Sequence, residues 1–259
     1  MDVKKDVKTA GRTLSLFEAF FQRKAPMTLT QLAAALDAPI SSCHGLVRTL
    51  SARGYLYTAE QNRSIYPTKR LFEIAREIAE HDPILGSVGP ILTDLRDTTG
   101  ETVLLGRRQD DGVLYLEVIE GTHTVRYSAR SGDIKPLHSS AIGKALLGRL
   151  EPTDLAKTLS RLDLARYTPH TIVSKSALQE ELRRSRQRGT FITHGENVAD
   201  VMAMAITATV DGEVLGVALA GPLSRMESSE AGYTRNLLAA RTALEALGGA
   251  AARAAVAAD

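Results

Sequence analysis

Two short stretches of the chain concentrate side chains able to do chemistry. Between Ser41 and Leu50, Cys43, Leu46, Val47 and Leu50 recur at i, i+3, i+4 and i+7, so on a helix they share one side. The other side then carries Ser41, Ser42, His44, Gly45 and Arg48. Small residues let such a helix sink into the major groove of duplex DNA, and hydroxyl, imidazole and guanidinium groups reach base edges there. The second stretch is Pro136-Leu-His-Ser-Ser-Ala-Ile-Gly-Lys144. If a helix starts at Ser139, the first-turn amides of Ser140, Ala141 and Ile142 lack intrahelical acceptors and present a partial positive charge suited to a carboxylate.

This is the chemistry of recognition rather than of bond making. Adjacent His138, Ser139 and Ser140 at a strand-to-helix corner do not point at one another, and no Gly-x-Ser-x-Gly elbow occurs. His194-Gly-Glu196 lacks the second His of a zinc hydrolase helix, and His44, His81, His123 and His170 are scattered. Ile142-Gly143-Lys144 is no phosphate loop, because Ala145 stands where Ser or Thr is needed. No cofactor and no metal are therefore expected. An enzyme, with a DNA-binding domain fused to a hydrolase-like domain, is the alternative, and a ligand-free oligomerisation module is a third reading.

Positioning the first stretch takes a helix-turn-helix. Leu14, Phe17, Phe20 and Phe21 form the apolar face of a first helix that ends before Ala25-Pro26. A second helix begins near Thr30, with Leu32, Ala33 and Leu36 inward and Thr28 or Thr30 as its cap. Asp37-Ala38-Pro39 makes a tight turn, and the third helix, capped by Ser41 or Ser42, stops at Gly54. Tyr55-Leu56-Tyr57 and Ser64-Ile65-Tyr66 then read as a hairpin wing whose tip carries Asn62 and Arg63, suited to a phosphate or minor-groove contact.

Behind the wing, a helix over Thr68 to Glu80 presents Leu71, Ile74, Ala75 and Ile78 on one face and joins the two halves. Helices are also expected at Ile84 to Thr99, Ser139 to Leu150, Thr153 to Leu162, Ser174 to Arg188 and Ser229 to Leu247. Strands are expected at Thr102 to Leu105, Val113 to Ile119, Thr124 to Ser128, Thr190 to Thr193, Met202 to Val210 and Val214 to Leu219, the last two joined by the hairpin signal Asp211-Gly212. Antiparallel strands interleaved with amphipathic helices make this an α+β domain.

Composition agrees with two modest globular domains: 259 residues, 44% apolar and 24% charged. Residues 1–70 hold 11 of the 32 Lys and Arg and 5 of the 30 Asp and Glu, which places +6 ahead of −4. A basic front on a mildly acidic body is the footprint of a DNA-binding domain. The longest weakly polar run, Val201–Val210, falls far short of the roughly 20 residues a membrane helix needs, and no apolar stretch follows the basic residues 1–12 to make a signal-peptide core. The single cysteine, Cys43, excludes an internal disulfide and fits a reducing cytoplasm.

At the level of motifs, Thr28–Leu36, the turn at Pro39, Ser41–His44 and Leu50–Leu56 resemble the DNA-binding domain of the isocitrate lyase repressor (IclR) family. Arg126–Gly132, Pro136–Ala145, Arg166–Pro169, Arg188-Gly189, His194–Glu196 and Ala220–Arg225 follow in that family's order, so the resemblance runs from about Ala10 to Arg225. It implies a homodimer or homotetramer that binds double-stranded operator DNA and senses a small organic acid, through a winged helix-turn-helix over residues 9–68, a linker helix over 69–82 and a GAF-like α+β domain over 83–248. The Ala-rich tail over 249–259 is assigned no function.

Family effector positions fall on Ala141, Ile142, His194, Met204, Ala218 and Ala220. His194 stands where Asp is familiar, Met204 where Cys is, and Ala218 and Ala220 where Ser is. That makes the pocket less polar and suits an aromatic or bulky monocarboxylate. Gly45, Ile40 and Asp37 depart from the family pattern in the DNA-binding half, and the sign of regulation, repressor or activator, is left open.

Overall fold

Apolar residues at helical spacing fold the front of the chain into α1 (Lys8–Arg23), α2 (Leu29–Ala35) and α3 (Ile40–Ala52). The paired strands β1 (Leu56–Thr58) and β2 (Ile65–Pro67) and the helix α4 (Arg70–Glu80) follow. The computed structural model describes residues 7–60 and 63–256, and the chain divides into the units Met1–Asp82 and Pro83–Asp259.

In the first unit, Leu16, Phe20, Leu32, Cys43, Val47 and Leu50 close one core with Met27, Leu56 and Ile65. The inner face of α1 differs from the expected one. Leu16 and Phe20 are buried and Phe17 packs against them, whereas Leu14 and Phe21 are exposed, because the i, i+4 pair of Leu16 and Phe20 sets the register. Thr28 caps α2 in a reciprocal box with Gln31. Asp37 turns the chain with φ of +43°. Neither Ser41 nor Ser42 caps α3. The helix starts at Ile40, with Pro39 as cap residue and its carbonyl already accepting from Cys43 N at 3.0 Å, so both hydroxyls lie inside the first turn. Gly54, at φ +78°, ends it as expected. Every residue of α4 is exposed within the chain.

The second unit begins with α5 (Pro83–Thr99), β3 (Thr102–Gln109), β4 (Gly112–Ile119) and β5 (Ile134–Pro136). Three helices come next, α6 (Ala141–Gly148), α7 (Pro152–Arg161) and α8 (Lys175–Arg188). The chain then adds β6 (Phe191–His194), β7 (Val201–Val210), β8 (Glu213–Pro222), α9 (Leu223–Ser228) and α10 (Glu230–Val256). All pairings are antiparallel in the order β5-β4-β3-β8-β7-β6. Asp211 and Gly212 both take positive φ in the β7–β8 hairpin, the conformation a tight primed turn demands.

The strand expected at Thr124 to Ser128 does not form. Its backbone is held by side chains instead: Thr102 Oγ1 donates to Tyr127 O at 2.5 Å, and Arg225 Nη2 donates to Val125 O at 3.0 Å. The edge strand is β5, ten residues later in the chain.

Because side chains alternate across a strand, the sheet builds two cores. Met202, Met204, Ile206, Val217 and Leu219 face α5 and α10. Leu104, Ala205, Ala218 and Ala220 face α6, α7 and α8. The site lies on this second face.

Candidate nucleic-acid interface and ligand cleft

On α3, Cys43 and Val47 are turned into the core and Ser41, His44 and Arg48 are exposed, with Ser42 and Gly45 half-buried between them. A methyl group placed on Gly45 would meet no atom within 4 Å, so the protein itself does not demand glycine there. Thr49 turns its hydroxyl back onto Gly45 O at 2.9 Å. Ile40, 54% exposed, adds an apolar group to the outward first turn. Across the wing, Leu56 pairs with Pro67, Tyr57 with Tyr66 and Thr58 with Ile65. Arg63 stands exposed at its tip with φ of +49°, while Asn62 lies outside the described residues. Thr68 Oγ1 donates to Gly54 O at 2.6 Å and Arg70 lies 5.3 Å from the Tyr55 ring centroid, which ties the base of the wing to the end of α3.

In the second unit a cleft opens at the N-terminus of α6. Ser140, not Ser139, is the cap: its Oγ accepts from Gly143 N at 3.2 Å and donates to Pro136 O at 2.6 Å. The helix therefore starts at Ala141, and the amides of Ala141 and Ile142 remain at its open end. Ser139, Ser140 and Ala141 form one wall. Leu104, Ala203 and Ala220 form an apolar floor on three neighbouring strands. Thr193 and Asn197 close the end at β6, and Tyr115, Tyr127 and Lys135 close the end at β4 and β5.

The expected contacts divide accordingly. Ser140, Ala141 and Ala220 line the cleft. Ile142 is buried behind them against Gly216, and Ala218 lies on the same sheet face, buried and away from the cleft. Met204 is fully buried on the opposite face, toward α5 and α10, and its neighbour Ala203 takes the cleft position. His194 is likewise one residue out of step. It is exposed at the end of β6, and Thr193, which pairs with Ala203, points into the cleft.

Below the cleft sits a polar cluster that motif reasoning missed. Lys144, fully buried, places Nζ 2.5 Å from Glu196 Oε1 and donates to Ile192 O at 3.2 Å. A lysine inside the apolar run Ala141–Leu147 was the sequence signal for it. Burial pushes the Glu196 carboxyl up, and the Lys144 ammonium draws it back. Next in the chain, Asn197 Nδ2 donates to Ser139 Oγ at 3.2 Å. Thr168 and Thr171 donate to the carbonyls of Gly195 and Glu196, each at 2.6 Å. The pair thus anchors the loop that supplies Asn197 to the cleft. His138 Nε2 lies 3.0 Å from Ala165 O, so it is the protonated nitrogen, and His138 is engaged away from Ser139 and Ser140. Burial pushes its imidazole below the usual range.

A recognition helix beside a wing, followed by an α+β unit with a cleft at a helix N-terminus, defines a DNA-binding regulator with a ligand-binding domain. Residues 9–60 match the IclR helix-turn-helix domain, and residues 76–245 match the family described as Bacterial transcriptional regulator IclR C-terminal. The chain belongs to the IclR family of transcriptional regulators, and it is a regulator rather than an enzyme.

Among its relatives, the HTH-type transcriptional regulator BhcR of Paracoccus denitrificans is 32% identical over 78% of this chain and 74% of its own length. The transcriptional repressor IclR of Escherichia coli is 28% identical over 85% of this chain and 82% of its own. The fold is shared with the IclR crystal structure from Thermotoga maritima, with a TM-score of 0.80, 21% identity and 94% and 100% coverage. An IclR homologue of Microbacterium hydrocarbonoxydans, solved as a complex with 4-hydroxybenzoate, aligns with a TM-score of 0.75, 21% identity and 93% and 99% coverage. No described helix is long and apolar enough to cross a membrane.

Proposed function

We propose that this regulator acts in the cytoplasm as a homodimer or homotetramer, controlling a catabolic operon whose operator it reads with Ser41, Ser42, His44, Gly45 and Arg48 in the major groove. Arg63, with Asn62, would contact the duplex backbone from the wing. The effector is an aromatic or otherwise bulky monocarboxylate, with its acid group at the α6 N-terminus and its body over Leu104, Ala203 and Ala220. One observation carries the effector class: the cleft floor is built of small and apolar side chains, while hydrogen-bonding groups stand at its ends and along the Ser139–Ser140 wall. An apolar floor favours the face of a ring over a two-carbon acid, nearly all of whose surface is polar. The complex of the Microbacterium homologue with 4-hydroxybenzoate makes this class the first to test.

Ligand binding shifts operator affinity only if it favours one arrangement of the protein over another, and the coupling is then reciprocal. Calorimetry with benzoate, hydroxybenzoates, pyruvate and glyoxylate, repeated in the presence of operator duplex, tests both statements. Benzoate-like acids should bind, and the operator should change their Kd. Binding of glyoxylate with no response to any aromatic acid would overturn the effector assignment.

A further inference from the structure

The exposed face of α3 is polar except at its first residue. Ser41, His44, Arg48 and Thr49 bring hydroxyl, imidazole and guanidinium groups to it. Ile40 opens the helix with 54% of its surface exposed, the one large aliphatic side chain among the exposed residues of α3. It is not among the apolar groups packed on the core of Leu16, Leu32, Cys43 and Val47, which takes its partly buried neighbours from Leu36 and Leu46 instead. Nor does it serve the helix, since β-branching gives it no advantage over Ala there. Pro39 precedes it as cap residue without a side-chain hydrogen bond, whereas Thr28 and Gln31 close the start of α2. An apolar group thus stands at the open tip of the helix, with His44 and Arg48 following at i+4 and i+8.

A recognition helix presents its N-terminal residues to base edges, and the apolar group on those edges in the major groove is the C5-methyl of thymine. Resting on the placement of α3 in the groove, we propose that Ile40 is a specificity residue of the operator contact, packing on a thymine methyl group and so selecting thymine at one position under each copy of the helix. The contact carries no charge, so it adds discrimination without releasing counterions. That distinguishes it from Arg63 at the wing, and from Arg48, whose guanidinium pairs with hydrogen-bond acceptors.

The test starts from a randomised duplex pool selected on the full-length protein and sequenced. The enriched duplex is remade with each thymine in turn replaced by deoxyuridine, which removes the methyl group and keeps the base pair, and binding is followed by fluorescence anisotropy. At one thymine and its two-fold mate, wild type should lose about fourfold in affinity per replacement, the worth of one methyl group taken out of water. Ile40→Ala, at an exposed position outside the core, should bind the thymine and deoxyuridine duplexes within about twofold of each other and keep the wild-type salt slope. Wild-type affinity that no deoxyuridine lowers overturns the proposal, and so does a loss that persists undiminished in Ile40→Ala. A changed sedimentation coefficient for Ile40→Ala places the side chain between copies of the chain and overturns it as well. Arg48→Ala, taken through the same selection, separates this failure from that of the reading beneath it. If Arg48→Ala alters the enriched sequence and Ile40→Ala does not, Ile40 alone leaves the readout. If neither alters it, or no sequence is enriched, α3 itself leaves the groove and the proposal falls with it.

Discussion

Replacing Gly45 by Ala separates what the recognition helix needs in order to fold from what it needs in order to bind. Gly45 is the sixth residue of α3, and glycine in a helix interior costs up to about 1 kcal/mol relative to Ala. Apart from its chain neighbours and the backbone of its own helix, no described atom lies within 4 Å of the position a Cβ would take, so the added methyl group meets only what any helical Ala meets and the full gain should appear. For a unit the size of Met1–Asp82, about 1 kcal/mol corresponds to roughly 4–8 °C in melting temperature. Calorimetric melting of the intact chain should therefore show that rise in the transition of the front unit. If the face bearing Gly45 approaches the groove closely, the same methyl group enters a filled interface, where excess volume costs about 1–3 kcal/mol. Fluorescence anisotropy with operator duplex should then show weaker binding by fivefold or more. A fall in melting temperature would refute the open-space argument. A rise in melting temperature with unchanged operator affinity would refute the groove placement of Gly45.

Arg48→Ala should weaken specific binding by about 1–3 kcal/mol if the guanidinium reads a base, and unchanged operator affinity would take Arg48 out of the readout. Arg63→Ala should weaken binding to all sequences alike and lower the salt slope by about 1, and lost discrimination at an unchanged slope would contradict a backbone contact by the wing. Gly143→Ala should destabilise the protein by about 1–3 kcal/mol, because its Cβ would collide with the Leu137 backbone and outweigh the helix gain of about 1; a higher melting temperature would disprove that balance. His138 is held neutral by burial, so its folded-state pKa lies below the ordinary value of about 6.5. Its contribution is present above that value and lost as the pH falls through the folded pKa. The gap in melting temperature between pH 7 and pH 5 should accordingly shrink in His138→Gln, whose amide can still donate to Ala165 O, and an unchanged gap would place the acid sensitivity elsewhere.

Helices were the legible part of the fold because their signals are redundant. α8 shows both a capping Ser174 and a closing Gly189 at φ +83°, around an apolar stripe, and any one of these locates it. Where the signals were fewer, the reading slipped. In α1 five large apolar residues compete for one face, and only packing against Leu32, Cys43 and Ile65 selects Leu16 and Phe20 over Leu14 and Phe21. The segment Thr124 to Ser128 has the β-prone composition of a strand, but a strand also needs a neighbour with open backbone groups. Here Thr102 and Arg225 side chains meet the carbonyls first, and Arg225 is 100 residues away from Val125 in sequence.

The residues expected at the candidate cleft miss it mainly by strand parity, and the reason is geometric. On a helix an error of one residue rotates a side chain by about 100°, and a wide apolar stripe tolerates that. On a strand the same error carries the side chain through the sheet to the other core. His194 and Met204 are each one residue from a cleft position, and that single step exchanges Thr193 and Ala203 for an exposed imidazole and a thioether buried against α5 and α10. Ala220 itself lines the cleft, and the pairing shows which residues share its row: Ala203 lies opposite Ala220, and Thr193 opposite Ala203. Once one member of that row is fixed, antiparallel register dictates the others. The polar end at Tyr115, Tyr127 and Lys135 had no such guide, since it joins a strand, a loop held by side chains and an edge strand of three residues. Only the folded sheet brings those three together, which is why this end of the cleft had to be read from the structure.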